Sequence, residues 1–176
     1  MPRLEHQFER MLRWDQAACL RLNRGLRMRW LRLPLQAASR LGDGVFWYAL
    51  LAALLVLHGA EAAGTLLHIL LTGVACTLIY KWLKARTLRP RPCQVMQAIR
   101  AGAAPLDQFS FPSGHTLHAV AFSVMSGAWF PETAWVVWPF TFLVALSRPV
   151  LGLHYPSDVL AGAAIGAAVA ALSLAL

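Results

Sequence analysis

Long apolar runs, broken by short polar stretches, dominate the chain from residue 41 onward. Five stand out, at 41–60, 64–84, 113–130, 134–150 and 157–176. A helix needs about 20 residues, within a range of about 17–25, to cross the hydrocarbon core of a bilayer. The second and fifth runs meet this comfortably; the fourth is marginal and needs its ends tucked into protein. The first 40 residues pattern differently. Leu4, Phe8, Met11, Ala18, Leu22, Leu26, Trp30 and Leu33 recur at helical spacing, with Arg10, Arg13, Arg21, Arg24 and Arg32 mostly on the other side. Asn23 and Gly25 are expected to break this stretch into two helices, and Pro34 to end or kink the second. Such a basic amphipathic segment suits a membrane surface; a basic helix packed on the rest of the protein is an equal reading. The pattern predicts an all-α, integral-membrane helical bundle of about five transmembrane helices, six if the arm also crosses. Its parts are an amphipathic basic arm, 1–40, and a membrane-embedded domain, 41–176.

Composition supports the membrane reading. Only 14% of the 176 residues are charged and 58% are hydrophobic, against about 25% charged in a soluble domain. That excludes a disordered chain. The net charge of +8 taken alone could mean nucleic acid, but its placement argues otherwise. Nine arginines fall between Arg3 and Arg40, six Lys or Arg between Lys81 and Arg100, and the last is Arg148. Basic clusters flanking apolar runs are a membrane signature, and no basic-aromatic surface for nucleic acid exists outside them. Cys19, Cys76 and Cys93 form no zinc or disulfide pattern. Residues 1–13 lack the apolar core of a signal peptide. Gly162 and Gly166, with Ala163, Ala167 and Ala170, make a small-residue packing face on the last run.

Loop lengths predict the topology. The turns near 59–63 and 131–133 are short and carry no Lys or Arg. The loops 85–112 and 149–156 must then lie on the opposite side, which places all 16 basic residues on one face if the arm does not cross.

Three polar clusters occur on that face. The first runs from Lys84 to Arg91-Pro92, where prolines restrict the directions the arginines can take. The second is Pro112-Ser113-Gly114-His115. Pro112 and Ser113 suit a helix start, Gly114 lets an anion approach the backbone, and free N–H groups at such a terminus bind phosphate. The third runs from Ser147-Arg148 through His154 to Asp158. Pro156 starts the last helix, so His154 precedes its N-terminus and Asp158 stands in its first turn. That puts a carboxylate within reach of one imidazole nitrogen, the logic of a His–Asp pair; complementing the helix dipole is the plainer alternative. His118, His58 and His68 read as packing. Two histidines, one carboxylate and several fixed cations suit a phosphate monoester or anhydride. A two-metal site needs several carboxylates, and only Asp107 and Asp158 fall in these loops, so no metal and no cofactor are expected.

Together the clusters resemble the three-part signature of the type-2 phosphatidic acid phosphatase superfamily of membrane lipid phosphatases: Lys, six residues, Arg-Pro; Pro-Ser-Gly-His; Ser-Arg, five residues, His, three residues, Asp. All three fit without a gap, in order, across residues 42–166. The resemblance implies that His154 is a nucleophile forming a phosphohistidine, Asp158 orients it, and His115 is the general acid. It implies that Lys84, Arg91 and Arg148, with Ser113 and the Gly114 backbone, hold the phosphoryl group, without metal. Arg89 has no counterpart in the signature. Candidate substrates are undecaprenyl pyrophosphate, phosphatidylglycerophosphate and phosphatidate. A lipid-to-lipid phosphotransferase using the same intermediate, or a non-catalytic lipid-binding protein, are the alternatives. Expected partners are the lipid substrate and the bilayer, with anionic lipids at the arm, and no nucleic acid. Many relatives carry six spans with the site outside, which suggests a bacterial inner membrane with the site on its periplasmic face; the charge rule alone would place arm and site in the cytoplasm.

Overall fold

The computed structural model describes residues 2–176, with side chains omitted at 2–5 and 8; Leu4 and Phe8 of the expected arm stripe lie outside the described side chains. The arm holds α1 (Pro2–Asn23) and α2 (Arg29–Leu41), joined by one 3₁₀ turn. The break falls at Asn23 because its carboxamide is used elsewhere: it donates to the carbonyls of Arg100 and Val150 and accepts from the Arg100 N–H. Pro34 lies inside α2 without ending it. Then come α3 (Val45–His58), α4 (Ala63–Thr87), the single turn α5 (Pro92–Val95), α6 (Gly114–Trp129), α7 (Ala134–Val150) and α8 (Pro156–Leu174).

The helix α6 is the axis of the bundle, packed against α4, α7 and α8. Its contact with α8 is the closest, and the small-residue face explains why. A Cβ on Gly166 would come within 3.2 Å of Leu117 Cα, and one on Gly162 within 3.4 Å of Leu117 N. Backbones can approach this way only where side chains are absent. The approach lets the Ser113 N–H donate to the Asp158 carbonyl at 3.0 Å, which joins the N-termini of the two helices. Ser123 and Thr141 bond at 2.6 Å between α6 and α7, and Trp47 stacks on Phe122 from α3.

Among the described residues three helical stretches are long and apolar enough to cross a membrane, Val45–Thr87 (which includes the turn at Gly59), Pro131–Val150 and Pro156–Leu174. The third expected span does not join them. With 16 residues, α6 extends about 24 Å at about 1.5 Å per residue, short of a core about 30 Å thick; α3, with 14 residues, is shorter still and reaches the length only as part of the stretch that continues into α4. Helix α6 is enclosed by its neighbours, so it does not face lipid along a full crossing. The two short turns share one end of the bundle, where His58 meets Glu132 at 3.2 Å. The two longer loops and the arm gather at the other.

Candidate active site

At that second end a cavity of about 570 Å³ opens between the helix termini. Lys84, Arg91, Gly114, His115, Arg148 and His154 line it. Of the residues singled out in the sequence, Ser113 and Asp158 are off this wall. The Ser113 hydroxyl bonds Thr116 at 3.0 Å instead, because α6 starts at Gly114 and turns Ser113 towards its own first turn. The anion donors left there are the N–H groups of Gly114 and His115, which helix geometry leaves without intrahelical partners.

His154 is buried in the loop before α8. Its Nδ1 lies 2.6 Å from the Ser110 carbonyl. A carbonyl can only accept, so Nδ1 carries the proton and Nε2 keeps its lone pair. Nε2 in turn lies 3.1 Å from Arg91 Nη1. Burial, followed by the charges of Arg148, Arg91 and Lys84, holds the ring well below the ordinary imidazole pKa. It is therefore neutral near pH 7. The expected His–Asp contact differs in detail: Asp158 Oδ2 is 3.7 Å from Nδ1, beyond a hydrogen bond. The carboxylate is engaged elsewhere, because Oδ2 accepts the Tyr155 N–H at 2.9 Å and Oδ1 accepts Arg89 Nη1 at 2.6 Å.

Cations surround the ring. Lys84 stands in the last turn of α4, and its ammonium donates to both oxygens of Asp107 and to the Phe109 carbonyl. Arg91 donates to Asp107 Oδ1 at 2.7 Å and to the Leu153 carbonyl at 2.8 Å. Burial alone would raise the Asp107 carboxyl, but its hydrogen bond to Lys84 and the charges of Lys84 and Arg91 hold it below its ordinary value. Arg148 donates to Ser39 at 2.6 Å, and its buried Nε meets no acceptor among the described residues. Such a guanidinium is suited to an anion.

His115, in the first turn of α6, turns its Nε2 to the Asp43 carboxylate. Asp43 was not among the expected site residues. It sits in the turn between α2 and α3, in a region without motif, so nothing local in the sequence marks it. His118 also lines the cavity, but both its ring nitrogens are engaged, with the Gly114 carbonyl and Thr77. That agrees with a packing role. Among the described residues no group of three or more His, Cys, Asp or Glu is placed to hold a metal ion.

A family model described as the PAP2 superfamily matches residues 62–176. A decaprenylphosphoryl-5-phosphoribose phosphatase from Mycobacterium tuberculosis is 40% identical over 77 residues, 43% of this chain and 41% of the relative. A lipid A 1-phosphatase from Rhizobium johnstonii is 40% identical over 58 residues, 33% of this chain and 24% of the relative. The matched stretch thus spans less than half the length of these curated relatives. The crystal structure of Aquifex aeolicus LpxE superposes with a TM-score of 0.76 at 26% identity, covering 89% of this chain and 93% of that one. A Bacillus subtilis PAP2-type phosphatidylglycerolphosphate phosphatase superposes at 0.71 with 24% identity, covering 94% and 85%, a likeness of fold.

Proposed function

This chain is an integral-membrane member of the PAP2 superfamily, and from that premise we propose that it is a phosphatase hydrolysing a lipid phosphate or pyrophosphate through a phosphohistidine on His154. One observation carries the reading: a neutral imidazole, with its lone pair on Nε2, shares a cavity with Lys84, Arg91, Arg148 and a second histidine. Undecaprenyl pyrophosphate, phosphatidylglycerophosphate and phosphatidate are the candidate substrates. The named activities of the decaprenylphosphoryl-5-phosphoribose phosphatase and the lipid A 1-phosphatase, both on lipid phosphates, support that class.

The phosphoryl group binds with its non-bridging oxygens on Lys84, Arg91, Arg148 and the N–H groups of Gly114 and His115. Arg91 passes its donor from His154 Nε2 to a phosphoryl oxygen as the ring attacks. The N–P bond forms, the P–O bond to the lipid breaks, and its electron pair goes to the leaving oxygen, which takes a proton from His115. Asp43 offsets part of the burial and of the Arg148 charge that disfavour a proton on that ring, and the bound phosphate supplies further negative charge beside it. Water then attacks phosphorus and gives its proton to His115, and the N–P electron pair returns to Nε2. No step requires a metal.

The arm adds a second basic surface. Arg24, Arg27, Arg32 and Arg100 line a separate cavity of about 520 Å³ that contains no carboxylate. It suits anionic lipid headgroups at the membrane border. Following the family resemblance, the site is assigned to the periplasmic face of a bacterial inner membrane.

The test is phosphate release by purified protein in detergent with excess EDTA, on the three candidate lipids. Release is expected, and its rank order names the substrate. Folded protein that releases none, but transfers phosphate when an acceptor lipid is added, would establish the phosphotransferase instead.

A further inference from the structure

We propose that Asp15 of the arm is a positioning residue for the phosphoryl-transfer centre, acting through Arg89 on Asp158; this rests on the reading of His154 as nucleophile. Arg89 lies between the motif residues Lys84 and Arg91 but belongs to neither end of the signature. Its guanidinium bridges two buried carboxylates. Nη1 donates to Asp158 Oδ1 at 2.6 Å and Nη2 to Asp15 Oδ2 at 2.7 Å. It also lies over the Tyr155 ring, 4.0 Å from the centroid. Asp15 is fully buried. Its Oδ1 accepts the Ser157 N–H at 3.0 Å and its Oδ2 the Ser157 hydroxyl. Both its oxygens therefore grip the first turn of α8, where Asp158 stands. Asp158 and Asp15 hold Arg89 charged against its burial.

Counting charges gives the network its function. Nδ1 keeps its proton on the Ser110 carbonyl, so phosphorylation at Nε2 leaves the imidazole ring cationic. Asp158, 3.7 Å away, is the nearest carboxylate to that cation. Paired with Arg89 alone, Asp158 would present a neutral ion pair to the ring. With Asp15 included, the Asp15–Arg89–Asp158 group carries net charge −1, which favours the cationic ring. A lone cation beside Asp158 would cancel the stabilisation, and a carboxylate from the arm restores it. The arm thus contributes to the reacting centre as well as to the membrane border.

The experiment measures kcat and KM for phosphate release by the full chain in detergent, for Asp15→Asn, for Asp15→Asn with Arg89→Gln, and for His154→Ala. Asp15→Asn should lower kcat about tenfold or more, the effect of one unit charge at close range, with KM within about twofold. The double variant should recover several-fold over Asp15→Asn, because losing Arg89 as well returns net charge −1 to Asp158. A merely structural clamp gives the reverse order, since the double variant loses more bonds. Wild-type kcat in Asp15→Asn, or a double variant no better than the single one, overturns the proposal. Where Asp15→Asn does not fold, Asp15→Glu replaces it: the retained charge should keep kcat within about threefold, and a tenfold loss overturns the proposal. Activity surviving in His154→Ala would instead sink the underlying reading, so the two failures are distinguishable.

Discussion

His154 and Asp158 are four residues apart, yet the ring bonds to the Ser110 carbonyl while the carboxylate serves Arg89 and the Tyr155 N–H. His115 and Asp43 are 72 positions apart, one in the first turn of α6 and the other in the turn between α2 and α3, yet their side chains touch directly. Under the proposed mechanism the difference gives the two rings different tasks. An imidazole anchored on a carbonyl is locked as one neutral tautomer, with its other nitrogen free to attack. An imidazole against a carboxylate has a counter-charge for the proton a general acid delivers; at His115 that carboxylate works against burial and the Arg148 charge, which outweigh it and disfavour the charged ring until substrate binds. The surroundings differ in degree: His154 faces Arg148, Arg91 and Lys84 with no carboxylate in hydrogen-bond contact among the described residues, whereas His115 has Asp43 partly offsetting burial and Arg148.

The strongest way to break this division of labour is to remove each ring in turn. His154→Ala should reduce kcat by about 10⁴–10⁶-fold, the scale of losing a covalent nucleophile. Alkaline denaturing quench of the wild type with labelled substrate, under which a phosphohistidine survives, should trap phosphate on the protein, and His154→Ala should trap none. Trapping at His115 would reverse the assignment. His115→Ala should cost about 10²–10⁴-fold, and a substrate with a good leaving group should narrow the gap, since it needs no proton. Asp43→Asn should cost about ten- to a hundredfold, corresponding to a hydrogen bond to a charged group worth about 1.5–3 kcal/mol. If Asp43→Asn left kcat unchanged, the contact would be packing only.

Titration sharpens the same contrast at smaller amplitude. Because His154 is depressed, it loses its proton below the ordinary imidazole range and is neutral above it. The acid limb of kcat/KM that belongs to the nucleophile should therefore lie well below about pH 6.5. The stability linked to keeping this ring neutral is complete above about pH 6.5 and declines as pH falls towards the depressed value. An NMR titration of the ring settles the sign; a midpoint at or above the ordinary value would remove the cationic cradle from the argument.

Local signals made much of this molecule readable. Apolar run lengths placed α3, α4, α6, α7 and α8 within a few residues, and Pro156 marked the start of α8. The spacing from Lys84 to Arg91 and from Arg148 to His154 selected residues that meet at one cavity. The unreadable parts are pairings across the fold. Asp43 reaches His115 and Asp15 reaches Ser157 only once helices are packed, and no periodicity encodes that. The Ser110 carbonyl was invisible for another reason: a backbone acceptor is independent of residue type. Asp158 misled in detail because nearness along the chain suggested a hydrogen bond that Arg89 and the α8 N-terminus take instead. Enclosure of α6 likewise depends on its neighbours, which no run length along the chain encodes.

The smallest expected effect lies at Asp107, on the His154 side of the cavity. Its carboxylate accepts from Lys84 and Arg91 at 2.7–2.8 Å, so it already holds two of the cations that the proposed mechanism assigns to phosphate. A substrate anion must share or displace it. Removing its charge should leave both donors more available. Asp107→Asn should therefore tighten inhibition by inorganic phosphate by about three- to tenfold, the scale of a partly exposed ion pair of about 1 kcal/mol. The His115 side should not respond, so the dependence of kcat on leaving-group ability should stay as in the wild type. Weaker phosphate inhibition in Asp107→Asn would mean that the carboxylate orders the two cations rather than competing for them, and the cradle would depend on its own counter-charge to hold shape.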